Sequence, residues 1–290
     1  MQVIFFIILL LVSHIAHAQL PVYVSILPQK YFVEQIGAEH VDVSVMVQAG
    51  HSPATYEPTP QQMVKLSQTP LYFKIGVPFE KVWLNKLQQH NPNMLIVNVA
   101  QGIELQAMPD IESLLDEEHH DHEKHHEHGE FDPHVWLSPR LVKIMAQHIL
   151  KQLTEHDPER AAIYQQNYAQ FVQKLEQLDT DIQQMLTDIE NRKFMVFHPS
   201  WGYFAKDYDL QQIPIEVEGK TPNAKDLARL MDYAKQQNIQ AIFVQKQFSQ
   251  KVAKTIADSI QAQFIVVDPL AENYIENLTN AARTFAQAMK

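Results

Sequence analysis

Cysteine is absent from all 290 residues. That excludes disulfides, thiolate zinc knuckles, a cysteine nucleophile and a lipobox anchor. Glycine is scarce, with 7 residues and no Gly-X-Y period, so the chain is not collagen-like, and its 46% hydrophobic content excludes a wholly disordered one. Positive charge is also short. With 23 Lys+Arg against 34 Asp+Glu the formal net charge is -11, which argues against a nucleic-acid partner. Most of that deficit is local, because Asp110, Glu112, Asp116, Glu117, Glu118, Asp121, Glu123, Glu127, Glu130 and Asp132 share one stretch with a single base, Lys124. No apolar run approaches the about 20 residues that span a bilayer. Val3 to Val12 is the longest, and Ala16-His17-Ala18 follows it, which is the pattern of an export signal cleaved after Ala18 to leave Gln19 first. Met1-Gln2 ahead of it carries no Lys or Arg, so the free amine is its only positive charge. The expected location is the periplasm.

What is present is an alternation of short apolar runs with longer amphipathic segments. Runs at Val22–Leu27, Val41–Val47, Leu71–Ile75, Met94–Val99, Phe194–Phe197, Ile213–Val217, Ile239–Val244 and Phe264–Val267 predict eight strands, four in each half. Segments 28–39, 59–68, 79–90, 222–237, 249–260 and 271–289 suit helices, so the chain is expected to be α/β with mainly parallel sheets. At the centre, Asp157-Pro158 offers an N-cap and a first-turn proline. Ile163, Tyr164, Tyr168, Phe171, Val172, Leu175, Leu178, Ile182, Met185, Leu186 and Ile189 then recur at three- and four-residue steps. One long helix over 157–191, roughly 50 Å in length, is expected to join an N-terminal lobe (19–156) to a C-terminal lobe (192–290) with a cleft between them.

Histidine placement carries the chemistry. Six of the 15 histidines, His119, His120, His122, His125, His126 and His128, crowd into an acidic loop over 117–130. Imidazoles interleaved with carboxylates offer several overlapping sites of modest affinity to Zn²⁺, Cu²⁺ and Ni²⁺. His14 and His17 leave with the signal, and His40, His90, His148 and His156 fall on predicted helices or their ends, where a structural role is the expectation. Three others stand where open α/β sheets place ligands, beyond strand ends or at turns. His51 follows Val41–Val47 by a short loop, His198 directly follows Phe194–Phe197, and His134 lies in DPHVWLSP, where Ser138-Pro139 starts a helix. Asp268 ends Phe264–Val267 in the same way. His51, His134, His198 and Asp268 therefore form a candidate His₃Asp set, two from each lobe, with the N/O composition that suits tetrahedral Zn²⁺ better than Mn²⁺ or Mg²⁺. Tyr56, Trp136, Trp201 and Tyr203 flank these positions, either excluding water or packing in the core.

AGHSPATYEPTP, FDPHVWLSP, FHPSWGYFAKDYDL, EVEGKTPNAKDLARL and VVDPLAENY, in that order, resemble the solute-binding proteins of zinc and manganese ABC importers, the metal-binding cluster A-I (cluster 9) family. The likeness covers essentially the whole mature chain, and the His-rich loop before DPHVW resembles the zinc members. The resemblance implies two (β/α)4-like lobes, a rigid connecting helix, metal at the lobe interface and delivery to a membrane permease by a monomer. His134 matches the histidine of DPHVW, His198 that of H-x-x-x-G-Y-F, and Asp268 the carboxylate before Pro-Leu. One position departs: family members commonly read P-H-x-[YF]-E-P, and Ala54 stands at the expected histidine. His51, three residues earlier, is the expected substitute, since a loop of that length moves an atom by up to about 10 Å. Water, Glu57 or Glu218 would complete the sphere otherwise.

The expected function is zinc capture, with affinity falling as pH drops below the ordinary imidazole value of about 6.5. A closed four-ligand site leaves no position for a reacting water, which argues for carriage over catalysis. Rival readings are a manganese or iron carrier of the same family, a zinc-dependent hydrolase with water in place of His51, and an adhesin. The chain contains no evident Ser-His-Asp motif and no Gly-rich phosphate loop.

Overall fold

The computed structural model describes residues 18–109, 131–216, 220–248 and 250–290. The expected signal segment before Ala18, the His-rich loop 117–130 and Glu218 lie outside the described residues. Among the described residues, eight strands form two four-stranded, all-parallel sheets. The first holds β1 (Leu20–Val24), β2 (Val41–Val45), β3 (Leu71–Lys74) and β4 (Leu95–Asn98) in the order β2-β1-β3-β4. The second holds β5 (Lys193–Val196), β6 (Gln211–Pro214), β7 (Ala241–Gln245) and β8 (Gln263–Val267) in the order β6-β5-β7-β8. Each half thus repeats one winding. Val22 pairs with Val43 on one side and Leu71 on the other, and Met195 likewise lies between Ile213 and Ile242. The central strands are buried on both faces, so β7 reads as a continuous apolar run, Ala-Ile-Phe-Val, up to its last residue Gln245 rather than as an alternating one.

Helices α1 (Leu27–Gly37), α2 (Pro60–Leu66) and α3 (Pro78–His90) accompany the first sheet. After it come α4 (Pro139–His156) and α5 (Ala161–Met185). The second sheet carries α6 (Gly202–Asp207), α7 (Ala224–Gln236), α8 (Gln250–Ile260) and α9 (Tyr274–Ala288). Their starts are chemically marked. Ser138 Oγ accepts from Leu141 N ahead of α4, Thr59 and Gln62 form a capping box at α2, and Asn223 Oδ1 accepts from Lys225 N and Asp226 N at α7. Among the described residues no helix is long and apolar enough to cross a membrane.

The connecting helix is shorter than its periodicity predicts. A 3₁₀ turn over Pro158–Arg160 precedes it, because the Asp157 carboxylate binds the Arg160 guanidinium and Tyr164 Oη (2.7 Å) instead of capping backbone N–H groups. At the other end the chain leaves the helix after Met185, though Leu186 and Ile189 stay buried and so extend the apolar pattern beyond it. Arg192 then donates to the carbonyls of Leu186 and Thr187. The 25 residues of α5 span about 37 Å. Nor is α5 a bare strut: it packs on α1 and α4 from the first half and on α9 from the second. Phe32, Phe171 and Tyr274 meet there, with the Phe32 and Tyr274 rings edge to face at 4.8 Å. One continuous apolar core therefore runs through both lobes, and a smaller second cluster lies between the C-terminal sheet and α7 and α8.

Beneath the C-terminal ends of β1 and β3 lies a buried polar knot. Glu80 Oε1 accepts from Ser25 Oγ (2.5 Å) and Ile75 N, its Oε2 accepts from Gly76 N, and Tyr72 Oη donates to Ser25 Oγ (2.9 Å). Burial raises the Glu80 pKa above the usual carboxyl value, against the opposing pull of Ser25 and the two backbone donors. A carboxyl raised on folding contributes stability that is full below its unfolded pKa and is lost as pH rises through the folded one. Glu80→Gln does not titrate. Its stability deficit against wild type is therefore expected to be largest at acid pH and to narrow as pH climbs from about 4.5 upward, which denaturant melts from pH 4 to 7 check; a deficit that widens with pH contradicts it.

Candidate metal centre

The candidate ligands fall into two pairs, each with one member from either lobe. His134 is buried, at 8% exposure, in the turn before α4, and His198 leaves the end of β5; their rings lie edge to face with centroids 5.1 Å apart. Each ring is held by a carboxylate. Asp132 Oδ1 accepts both His134 N (2.9 Å) and His134 Nδ1–H (2.6 Å), and Glu216 Oε1 accepts His198 Nδ1–H (2.6 Å). Burial lowers the His134 pKa below the ordinary imidazole value despite the Asp132 charge beside it. The ring is therefore neutral at neutral pH, the state in which it offers a lone pair to a metal.

His51 and Asp268 arrive from opposite lobes and line one cavity of about 230 Å³ with Ile26, Gly50, Gln247 and Glu272. His51 is exposed; its Nδ1–H donates to Ala49 O (3.3 Å), which leaves Nε2 free, and its ring stands edge to face with Tyr56 at 5.6 Å. Asp268 Oδ1 accepts from Leu270 N (3.0 Å) and Gln247 Nε2 (3.3 Å), while Lys246 Nζ lies 4.0 Å from Oδ2. Ala54, where the family histidine was expected, is exposed and does not line the cavity. The loop that carries both is stapled by Gln62, which accepts from Tyr56 Oη (2.8 Å) and donates to Val45 O and Met46 O, and by Phe79 N, which donates to Pro53 O.

The four candidate ligands thus stand as two pairs, His134 with His198 and His51 with Asp268. Among the described residues no three His, Asp or Glu side chains close on a single point. One hydrogen bond links the pairs: Trp136 Nε1, two residues from His134, donates to Pro269 O (2.8 Å), next to Asp268. Lys30 of α1 also pairs with Glu272, across the same lobe boundary. Of the four flanking aromatics, Tyr56 and Trp136 face candidate ligands. Trp201 packs on Phe204 and Phe285 in the core, and Tyr203 Oη accepts from Gln106 N and donates to Asp132 O. Sequence reasoning missed Phe248, which stacks on His198 at 4.8 Å, and the holding role of Glu216. Glu216 had a usable signal, since it lies just past the end of β6, the same logic that singled out His198 and Asp268. His148 and His156 bond backbone carbonyls of Gln101 and Gln152, in the structural role expected of them.

Residues 22–288 match the family model described as "Zinc-uptake complex component A periplasmic". The chain belongs to this family. A high-affinity zinc uptake system protein, ZnuA, of Bacillus subtilis (strain 168) is 31% identical over 256 residues, covering 87% of this chain and 79% of that one. A zinc-binding protein, AdcA, of Streptococcus pyogenes serotype M3 is 30% identical over 285 residues; the match takes in 95% of this chain but 55% of AdcA, so the chain spans about half of that relative. A crystal structure of ZnuA superposes with a TM-score of 0.85 at 43% identity, over 94% of this chain and 100% of the other. The laminin-binding protein Lmb of Streptococcus agalactiae has a TM-score of 0.80 at 21% identity, a likeness of fold alone.

Proposed function

We propose that this chain captures zinc in the periplasm, after loss of its signal near Ala18, and surrenders the ion to the membrane permease of an ABC importer without catalysing a reaction. Zinc is the cargo, held at the lobe interface by His134, His198, Asp268 and His51, with the acidic loop of His119, His120, His122, His125, His126 and His128 as a secondary collector. The observation that carries this is the His134/His198 pair: two imidazoles from different lobes in ring contact, each anchored through Nδ1, which leaves Nε2 of both for a metal. Three nitrogens and one carboxylate oxygen match the preferences of Zn²⁺.

His51 is the ligand on which this chain differs from the common family pattern, and His51→Ala is expected to weaken zinc binding by about 10-fold or more, the loss usual even for supporting partners of a metal ligand. Moving the imidazole back, in His51→Ala/Ala54→His, is expected to recover most of it. Competition of apo-protein against a zinc chelator of known affinity reads both. Unchanged affinity in His51→Ala would assign the fourth position to another donor. Adding Mn²⁺ and Fe²⁺ as competitors in the same titration separates a zinc carrier from a manganese or iron carrier.

A further inference from the structure

Asp132 and Glu216 are buried, at 1% and 6% exposure, and neither is part of the His₃Asp set. They do the same thing on different lobes. An ionised carboxylate only accepts hydrogen bonds, so a 2.6 Å contact to a ring nitrogen puts the proton on Nδ1 and the lone pair on Nε2. Asp132 is itself held in place: its Oδ1 takes the His134 backbone N–H as well as the ring, and its Oδ2 packs against Gly202 at the start of α6. A Cβ on Gly202 would lie 2.8 Å from that oxygen, so only glycine leaves room for the carboxylate there. Glu216 sends Oε1 to His198, and its Oε2 is buried with no hydrogen-bond partner among the described residues. Leaving a carboxylate oxygen bare in the interior is costly. A dication bound on the far side of the imidazole would offset that charge.

We infer that Asp132 and Glu216 are positioning residues, which fix His134 and His198 as Nδ1–H tautomers with both Nε2 atoms aimed at one cation, and that Gly202 makes the space for Asp132. The inference about the cation rests on the proposed zinc reading; that about the tautomers does not. Free imidazole favours the Nε2–H form, so an unheld ring must shift its proton before it can bind through Nε2, and loss of such a partner typically costs about 10–100-fold in metal affinity.

Two readouts on the full chain test this. Long-range ¹H–¹⁵N NMR of the metal-free protein, with His134 and His198 assigned from single histidine variants, reports the tautomers, and Zn²⁺ titration followed at those two rings reports their own affinity apart from the His-rich loop. Wild type is expected to show Nδ1–H at both. Asp132→Ala is expected to move His134 alone toward Nε2–H and weaken zinc there by about 10–100-fold. Asp132→Asn, which keeps a carbonyl acceptor, recovers much of both. Glu216→Ala and Glu216→Gln do the same for His198, and Gly202→Ala affects His134 only. Nε2–H tautomers in wild type overturn the inference, as does a loss of affinity that tracks a lowered Tm while the tautomers stay put. If the tautomers behave as expected but zinc perturbs neither ring in wild type, the positioning stands and the zinc site is elsewhere.

Discussion

Replacing His198 by alanine is expected to weaken the tight zinc site by more than about 100-fold, since removing a ligand costs more than removing the partner that orients it, itself worth about 10–100-fold. The apo-protein is expected to change little in stability. His198 is half-buried, its ring covers Phe248, and its backbone stays tied by Gln245, whose Nε2 donates to His198 O (2.6 Å) and to Ser200 Oγ (2.8 Å). The measurement needs a background without the His-rich loop, whose six imidazoles are proposed to collect zinc of their own. In a chain lacking residues 117–128, one tight equivalent against a competing chelator is expected, and His198→Ala abolishes it. Loss of all tight binding on deletion alone would make the loop the site. Retention of tight binding in the deleted His198→Ala chain would move the site out of the His134/His198 pair.

The second large effect is on the fold. Phe171 on α5, 1% exposed, lies between Tyr31 and Phe32 of α1, and Phe32 in turn meets Tyr274 of α9. Truncating a buried phenylalanine costs about 3–5 kcal/mol. At about 2–4 °C per kcal/mol for a chain of this size, Phe171→Ala is expected to lower Tm by about 6–20 °C. Because the cluster belongs to the core shared by both lobes, the whole chain should melt in one transition and that transition should shift as a unit. Calorimetry showing two transitions, with only one moved by the substitution, would mean that the lobes are energetically separate.

That shared core is where reading the sequence fell short. Apolar runs mark each of the eight strands, and their alternation with amphipathic segments is enough to predict two parallel sheets, because runs buried on both faces carry their own signature. Edges were harder. β6 begins at Gln211 and β5 at Lys193, since parallel pairing bonds backbone to backbone and includes polar residues at the margins. Periodicity overstates the connecting helix because Leu186 and Ile189 remain buried after the helix has ended, and periodicity reports burial rather than hydrogen bonding. Nothing in the order of residues says that Phe32, Phe171 and Tyr274 will meet in one core. The same limit applies to the site. His51, His134, His198 and Asp268 stand at strand ends and turns and were visible for that reason, whereas Glu216 reaches His198 from 18 residues away and Phe248 from another loop. Their relation is one of space, set by the order β6-β5-β7, and only the folded chain displays it.

Strand direction separates this molecule into two ends that tolerate change differently. His51, His198 and Asp268 all follow strands, so in a parallel sheet they share one end of their lobe, and the turns that precede strands lie at the other. Asn93, before β4, and Gln261, before β8, occupy two such turns and are exposed, one in each lobe. In a chain with no native cysteine, Asn93→Cys and Gln261→Cys together create the only two thiols. A pair of spin labels or fluorophores placed there would measure the distance between the lobes directly, with and without metal, from the ends of the sheets opposite His51, His198 and Asp268.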